Sequence, residues 1–475
     1  MFILVRAPFL PILAALVSML AVYGHVLDWA LPPFATLVSL GVVLSSFCES
    51  RRRQWGVTAL VTSLTLLFSL WIIFSLEKSE ADVLPPFIDT TGTVTDARPW
   101  GRMYAISIAT PLGGFVLREP FAALTDGARV SLKGAPIPFK GEQPKSGFRE
   151  DRFWRARGMR ANLKLTEVKI IPDNGEILNI HNYRWRLYRL ISIYTPRLTG
   201  AYLNATWTGK RDERLNASHR RWGTSHLLAI SGFHVGIVMC VLSYFVGHGK
   251  KRVPILSLAL WLYVLLAGAS ASSLRAALMI QTALAGKLFG RRASLVNSVC
   301  VAAVLLLLWS PFQFWDIGWR LSVLAALTVA AVIERSRARD PLWLILSPLI
   351  WAATFPQVAK TFGSTPLAGI LINFAALPFF GFALSFASAL AALRMIGLPF
   401  ADLPLYALEG AFVLWGDLAD FAAGVIPWQA EWSEWGAYTC AVLFLGVICR
   451  SVFIPWLNTI LLATLGAVAA FALFG

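Results

Sequence analysis

Apolar runs separated by short polar breaks fill most of this chain, and one long polar stretch, 77–225, interrupts them. Three runs precede it, at 8–24, 33–47 and 56–76. Ten follow it, at 226–246, 253–268, 273–289, 294–310, 317–334, 342–358, 365–393, 404–426, 436–449 and 453–474. Most approach the ~20 residues that a helix needs to cross about 30 Å of hydrocarbon, so the pattern predicts a polytopic α-helical membrane protein of about 11–13 spans. Met1–Tyr23 has no small-residue cleavage site ahead of a soluble stretch and reads as a retained helix. Pro348, Pro378 and Pro455 fall inside runs, where kinked or broken helices are expected.

The polar stretch has a different period. Segments near 88–96, 102–109, 113–118, 128–134 and 161–171 alternate or carry β-branched residues, and turn signals such as Pro111–Leu112–Gly113–Gly114 and Asp126–Gly127 separate them. Five short strands predict a small OB-like β-barrel inserted after the third helix, a fold that binds single strands through a basic groove with stacking aromatics. FREDRFWRARGMR (148–160) supplies Arg149, Arg152, Arg155, Arg157 and Arg160 interleaved with Phe153 and Trp154. Two readings of it stand side by side: a DNA-guiding face that includes Trp154, or a solvated helix packing its aromatics on the barrel. In HNYRWRLYRLISIYTPRL (181–198), Leu187, Leu190, Ile191 and Tyr194 recur at helical spacing while Arg184, Arg186 and Arg189 point largely elsewhere. That is the pattern of a basic amphipathic helix lying on a bilayer surface.

Composition narrows the class. Of 475 residues 57% are apolar and 14% charged, against roughly 25% charged in soluble domains, so a soluble globule is excluded. Lys and Arg cluster on alternate short loops (Arg51–Arg53, Lys250–Arg252, Arg291–Arg292, Arg335–Arg339, Arg394, Arg450), while 25–32, 269–272 and 427–435 carry none. The positive-inside rule then places the N-terminus in the cytoplasm and 77–225 outside. That stretch holds 24 Lys and Arg against 15 Asp and Glu, more than half of the net charge of +16. An external basic domain attracts polyanions, either nucleic acid or the anionic membrane surface.

Within the oily half, four segments carry polar groups. SHLLAISGFHVG (225–236) contains His226, Ser231, Gly232 and His234; GASASSLRAALM (268–279) contains Arg275; DIGWRLSVLAAL (316–327) contains Asp316, Arg320 and Ser322; PLAGILINFAALP (366–378) contains Asn373. Polar side chains at membrane depth are costly and by default paired or cavity-facing. Simpler readings are helix packing for Ser231 and Gly232, an interfacial position for His226, snorkelling for Arg275 and a helix-start ion pair between Asp316 and Arg320. Ser231 and His234 share one helix at i, i+3, which disfavours a nucleophile–base pair. There is no HExxH, G-x-S-x-G or phosphate-binding loop, and no metal-ligand spacing among the five cysteines, so the chain reads as a non-enzyme without cofactor or metal. By orientation and a rise of 1.5 Å per residue, Ser231, Arg275, Ser322 and Asn373 would lie roughly 3–12 Å below the outer boundary. They are expected to converge on one cavity open to the outside, with His226 at its rim.

SHLLAISGFHVG resembles the signature of the ComEC family of DNA-internalisation channels. NATWTGKRDERLNASHRRWGT (204–224) is similar to that family's basic linker, and the other three polar segments follow in the family's order. Departures are Ala271 and Arg320, where the family tends to have Pro and Gln, and the lack of a C-terminal metallo-β-lactamase-like domain. The resemblance implies an inner-membrane protein that passes single-stranded DNA during natural transformation. Its expected organisation is a three-helix segment (1–76), an external OB-like domain (77–172), a basic linker on the membrane surface (173–224) and a polytopic channel (225–475). The implied partners are single-stranded DNA, membrane lipids, an external DNA receptor, a cytoplasmic ATP-driven motor and a nuclease on a separate polypeptide. The alternatives are a transporter or scaffold for another anionic or lipid-linked solute and, less favoured, an intramembrane hydrolase.

Overall fold

The structure is a computed structural model. It describes residues 7–25, 52–120, 124–141, 149–172, 179–228, 232–247, 251–267, 271–288, 294–335 and 342–433, with parts of 436–447. The expected spans at 33–47 and 453–474, and Pro455, lie outside the described residues.

Two helices, α1 (Phe9–His25) and α2 (Arg52–Glu80), precede a closed five-stranded barrel. Its strands are β1 (Ile88–Trp100), β2 (Met103–Thr110), β3 (Gly113–Glu119), β4 (Arg129–Ile137) and β5 (Met159–Ile171). They pair in the order β1-β2-β3-β5-β4 and the barrel closes between β4 and β1. Every pairing is antiparallel except β3 with β5. That parallel contact needs a crossover, which contains the short helix α3 (Glu150–Arg155). Alternate residues fill the interior, among them Val94, Ile106, Ile108, Phe115, Leu117, Val130, Leu132 and Leu163. The five segments read from the alternation correspond to the five strands, with β1 and β4 running three or four residues further.

Three helices follow: α4 (Ile180–Tyr194), α5 (Arg197–Trp207) and α6 (Glu213–Arg221). Asn179 caps α4 by accepting from Asn182 N–H (3.1 Å), and Asp212 caps α6 by accepting from Leu215 N–H (2.9 Å). The sequence places 173–224 on the membrane surface as a linker; in the structure α5 is packed into the protein, whereas α4 leaves Leu190, Ile193 and Tyr194 exposed. Tyr202, Leu203, Ala205, Leu215 and Trp222 share a core with Ile372, Phe380 and Phe412. The reason is apolar surface on α5 that the helical spacing of 181–198 did not reveal. Arg184, expected to point away from the apolar face, is 9% exposed and reaches into the barrel to pair with Asp126 (3.0 Å).

The apolar half begins with a 3-10 turn (Ser225–Leu228), so the run 226–246 is not one regular helix. Then come α7 (Gly232–Phe245), α8 (Arg252–Leu266), α9 (Ala271–Leu288), α10 (Leu295–Trp309), a 3-10 segment (Pro311–Trp315), α11 (Ile317–Arg335), α12 (Leu342–Phe362), α13 (Ala368–Met395) and α14 (Asp402–Val425). Pro348 and Pro356 lie within α12 and Pro378 within α13. A two-stranded ribbon, β6 (Ser364–Pro366) with β7 (Gln429–Glu431), ties the start of α13 to the chain after α14. Among the described residues three segments are long and apolar enough to cross a membrane: Ala59–Glu80, Ile317–Glu334 and Ala368–Met395. Shorter apolar helices include Phe9–Ala21, Val235–Phe245, Arg252–Leu265 and Leu295–Trp309.

Candidate functional site

A cavity of 4310 Å³ runs from the barrel into the helical half. Its barrel side is formed by Arg98, Trp100 and Tyr104 of β1 and β2, with His181, Arg184 and Tyr188 of α4. Lys210, Arg211, Arg214, Arg220 and Arg221, around α6, come next. Ten Lys or Arg side chains line the whole cavity against four Asp or Glu, so its field favours anions.

Deeper in, the cavity gathers residues from several of the polar segments. His226, Gly232, Arg275, Asp316, Ser322 and Asn373 all line it, though they come from four different stretches of chain. His226 is exposed to it, whereas Arg275 is 3% exposed. Arg320 does not line the cavity, Ser231 lies outside the described residues, and so does the side chain of His234.

Arg275 shows why this layer matters. Its Nε and Nη1 have no hydrogen-bond partner although both are buried. An unpaired guanidinium withdrawn from water is costly, and an anion removes that cost. Asp316 lies within electrostatic reach of Arg275 and Arg320, but its Oδ1 accepts from Arg157 Nη2 of the barrel crossover (3.3 Å). The helix-start pair between Asp316 and Arg320 is therefore not what forms. Arg320 Nε has no partner. Asn373 Nδ2 donates weakly to Gly223 O (3.4 Å), and its Oδ1 is unpaired. Gly223 (φ +70°) meets Gly369 so closely that a Cβ on Gly369 would stand 3.3 Å from the Gly223 Cα.

The arginines of 149–160 have other partners. Arg152 lies over the Trp315 ring (4.4 Å), Arg155 over Phe312 (5.5 Å), and Gln313 Nε2 donates to Ala156 O (2.7 Å). Arg149 pairs with Asp151 (2.8 Å) and Arg160 with Asp82. Only Arg157 of the five lines the cavity. Trp154 is 0% exposed, packed with Trp100, Phe139 and Phe153, so it offers no stacking face. The structure has the aromatics of this stretch on the barrel, Arg152 and Arg155 on the 3-10 segment, and Arg149, Arg157 and Arg160 paired with carboxylates.

Two clusters escaped the sequence reading. Asp126, with a fully buried side chain, pairs with both Arg184 (3.0 Å) and Lys210 (3.0 Å), joining barrel, α4 and the loop before α6. Tyr202 Oη meets His219 Nε2 (2.9 Å), and His219 Nδ1 meets Thr224 Oγ1 (2.8 Å). Burial holds the Tyr202 hydroxyl protonated and pushes His219 down to about 4, so His219 is neutral, with one ring nitrogen donating and the other accepting. Spacing alone could have flagged the basic cluster Lys210–Arg221, which falls in the basic stretch before Ser225. Among the described residues no group of three or more His, Cys, Asp or Glu could hold a metal ion.

The competence-protein family matches residues 208–470, more than half of the chain. This chain belongs to the ComEC family of competence proteins. The ComEC-type motif SHLLAISGFHVG, the basic cluster and every polar segment of the cavity lie within that match. One curated relative, ComE operon protein 3 of Bacillus subtilis (strain 168), is 26% identical over 325 residues. The aligned region covers 66% of this chain and 40% of the relative, so the chain spans less than half of that protein. No solved structure matches this ComEC-family chain.

Proposed function

We propose that this ComEC-family protein passes single-stranded DNA across the inner membrane during DNA uptake. The observation that carries the reading is the basic cavity, which connects the barrel surface to an unpaired arginine within an apolar helix bundle. In this reading the barrel is an OB-like guide facing outward, the N-terminus is cytoplasmic, and the helical half contributes the channel through multiple spans. Lys210, Arg211, Arg214, Arg220 and Arg221 attract the phosphate backbone without regard to sequence, and Tyr104 offers its ring to a base at the cavity wall. Arg275 then takes a phosphate at depth, with His226, Gly232, Ser322 and Asn373 around it. Force comes from a cytoplasmic ATP-driven motor, and an external receptor and a separate nuclease complete the uptake system.

The test is a transformation assay in a deletion strain, with labelled DNA followed into the cytoplasm. Arg275→Ala is expected to cut uptake roughly tenfold or more at unchanged protein level, the worth of one charge-assisted contact. Arg275→Lys is expected to retain part of it, because a loose channel uses charge more than fork geometry. Full uptake by the alanine variant would overturn the role of Arg275 in uptake.

A further inference from the structure

The cavity changes character below its polar layer. On α11 the lining residues after Asp316 are Ile317, Gly318, Leu321 and Ser322, and beyond the Ser322 hydroxyl only apolar ones such as Ala325, Val329 and Ile333. The same switch occurs on α9, where Arg275 is followed by Leu278, Met279 and Ala283. From Ser322 to Ile333 a helix rises about 16 Å, half of the ~30 Å hydrocarbon core and hence the depth of one leaflet. The cavity is several times the roughly 300–1,000 Å³ of an ordinary ligand pocket. On α10, Leu305 and Trp309 line it while 43% and 89% exposed, so they present open apolar surface. Hydroxyls in this wall are spent on backbone: Ser298 on Ser294 O (3.0 Å), Thr354 on Ile350 O (2.8 Å).

We infer that this cavity is a binding site for one anionic phospholipid, its phosphodiester on the Arg275 guanidinium and its acyl chains along the apolar faces of α9, α10 and α11. Charge complementarity fixes the head. A buried guanidinium with Nε and Nη1 unpaired has donors left over, and anionic phosphate oxygens are the acceptors that suit them. Wall chemistry fixes the tails, since acyl chains need no hydrogen bonds where the helices offer none. A phosphodiester strand, by contrast, would find no partner below Ser322 while the lipid is in place. The lipid is then a resting occupant that the cargo must displace. The inference rests on the cavity walls and holds whatever the cargo is.

The test uses the full chain reconstituted in vesicles of phosphatidylcholine and phosphatidylglycerol, re-extracted in mild detergent, with retained phosphatidylglycerol measured by mass spectrometry. A stoichiometric amount is expected on the wild type. Arg275→Ala is expected to lower affinity roughly tenfold or more. Val329→Trp, which fills the apolar part and leaves Arg275 in place, is expected to lose the lipid too. Excess inorganic phosphate is expected to leave it bound, because the tails hold it. Equal retention in the wild type and Val329→Trp, or displacement by inorganic phosphate, would overturn the inference, and Val329→Trp decides if Arg275→Ala does not stay monodisperse. Retention is measured without DNA, so its failure leaves the proposed cargo standing, and a failed uptake assay leaves the lipid site standing.

Discussion

Single residues here work by being denied water. His219 is wholly buried, and burial lowers its pKa from 6.5 to about 4. The unfolded chain therefore takes up a proton near pH 6.5 while the folded chain refuses it until about 4. Stability from neutral His219 is fully present above the unfolded value and is lost progressively as pH falls through that window. Thermal unfolding in detergent across it is expected to show a steeper loss for the wild type than for His219→Gln. Parallel curves would remove His219 as the source. Asp316 is the converse case, a carboxylate shared among cations. Asp316→Asn is expected to cost about 1.5–3 kcal/mol, the worth of a charge-assisted bond. A double-mutant cycle with Arg157→Ala should return most of that as coupling between the two, and additivity would mean that Arg157 is not the partner that matters.

Among elements, the capping of α5 shows what connects the two halves of the chain. Pro196 at its N-cap offers no side-chain acceptor. Glu409 of α14 supplies one, accepting from Leu198 N–H (2.8 Å), Thr199 N–H (2.7 Å) and Thr199 Oγ1 (2.7 Å). A carboxylate on free amides at a helix start also meets the positive end of the helix dipole. Glu409→Ala is expected to lower stability by about 1–2 kcal/mol, read as a drop in melting temperature in detergent. A contact spanning more than two hundred residues leaves no trace in local spacing, which is why 173–224 read as a surface linker. The five strands, in contrast, were legible because each writes its own period-two pattern and its own turn. The polar layer was legible too, as isolated polar residues in apolar runs, and Arg275, Ser322 and Asn373 do line one cavity. The spacing left two readings open for Arg149, Arg152, Arg155 and Arg160, because three of their partners, Trp315, Phe312 and Asp82, lie far along the chain. For Trp154 too both readings stood open, because alternation with arginines says nothing about which face a crossover buries.

At the scale of the molecule, the basic cavity mouth sets a quantitative expectation. Binding of a single-stranded oligonucleotide to the full chain should weaken linearly in log–log terms with salt, with a slope near −0.7 per phosphate contacted. Replacing Arg211, Arg214 and Arg220 together by Gln should flatten that slope by about 2 and weaken all sequences alike. A salt-independent affinity, or an unchanged slope in the triple variant, would take the mouth out of the DNA path.

The bond from Phe9 N–H to Asn297 Oδ1 (3.0 Å) has a consequence in time. It joins α1 to α10 across 288 positions, in a core that also takes in α2 and α11. The barrel pairs only residues 88–171, so it can close long before that core exists. At ~5–20 residues per second of synthesis, α1 would wait roughly 15–60 s for its partner. During that interval a ribosome-bound chain would show a finished barrel beside a first helix that has α2 but still lacks α10.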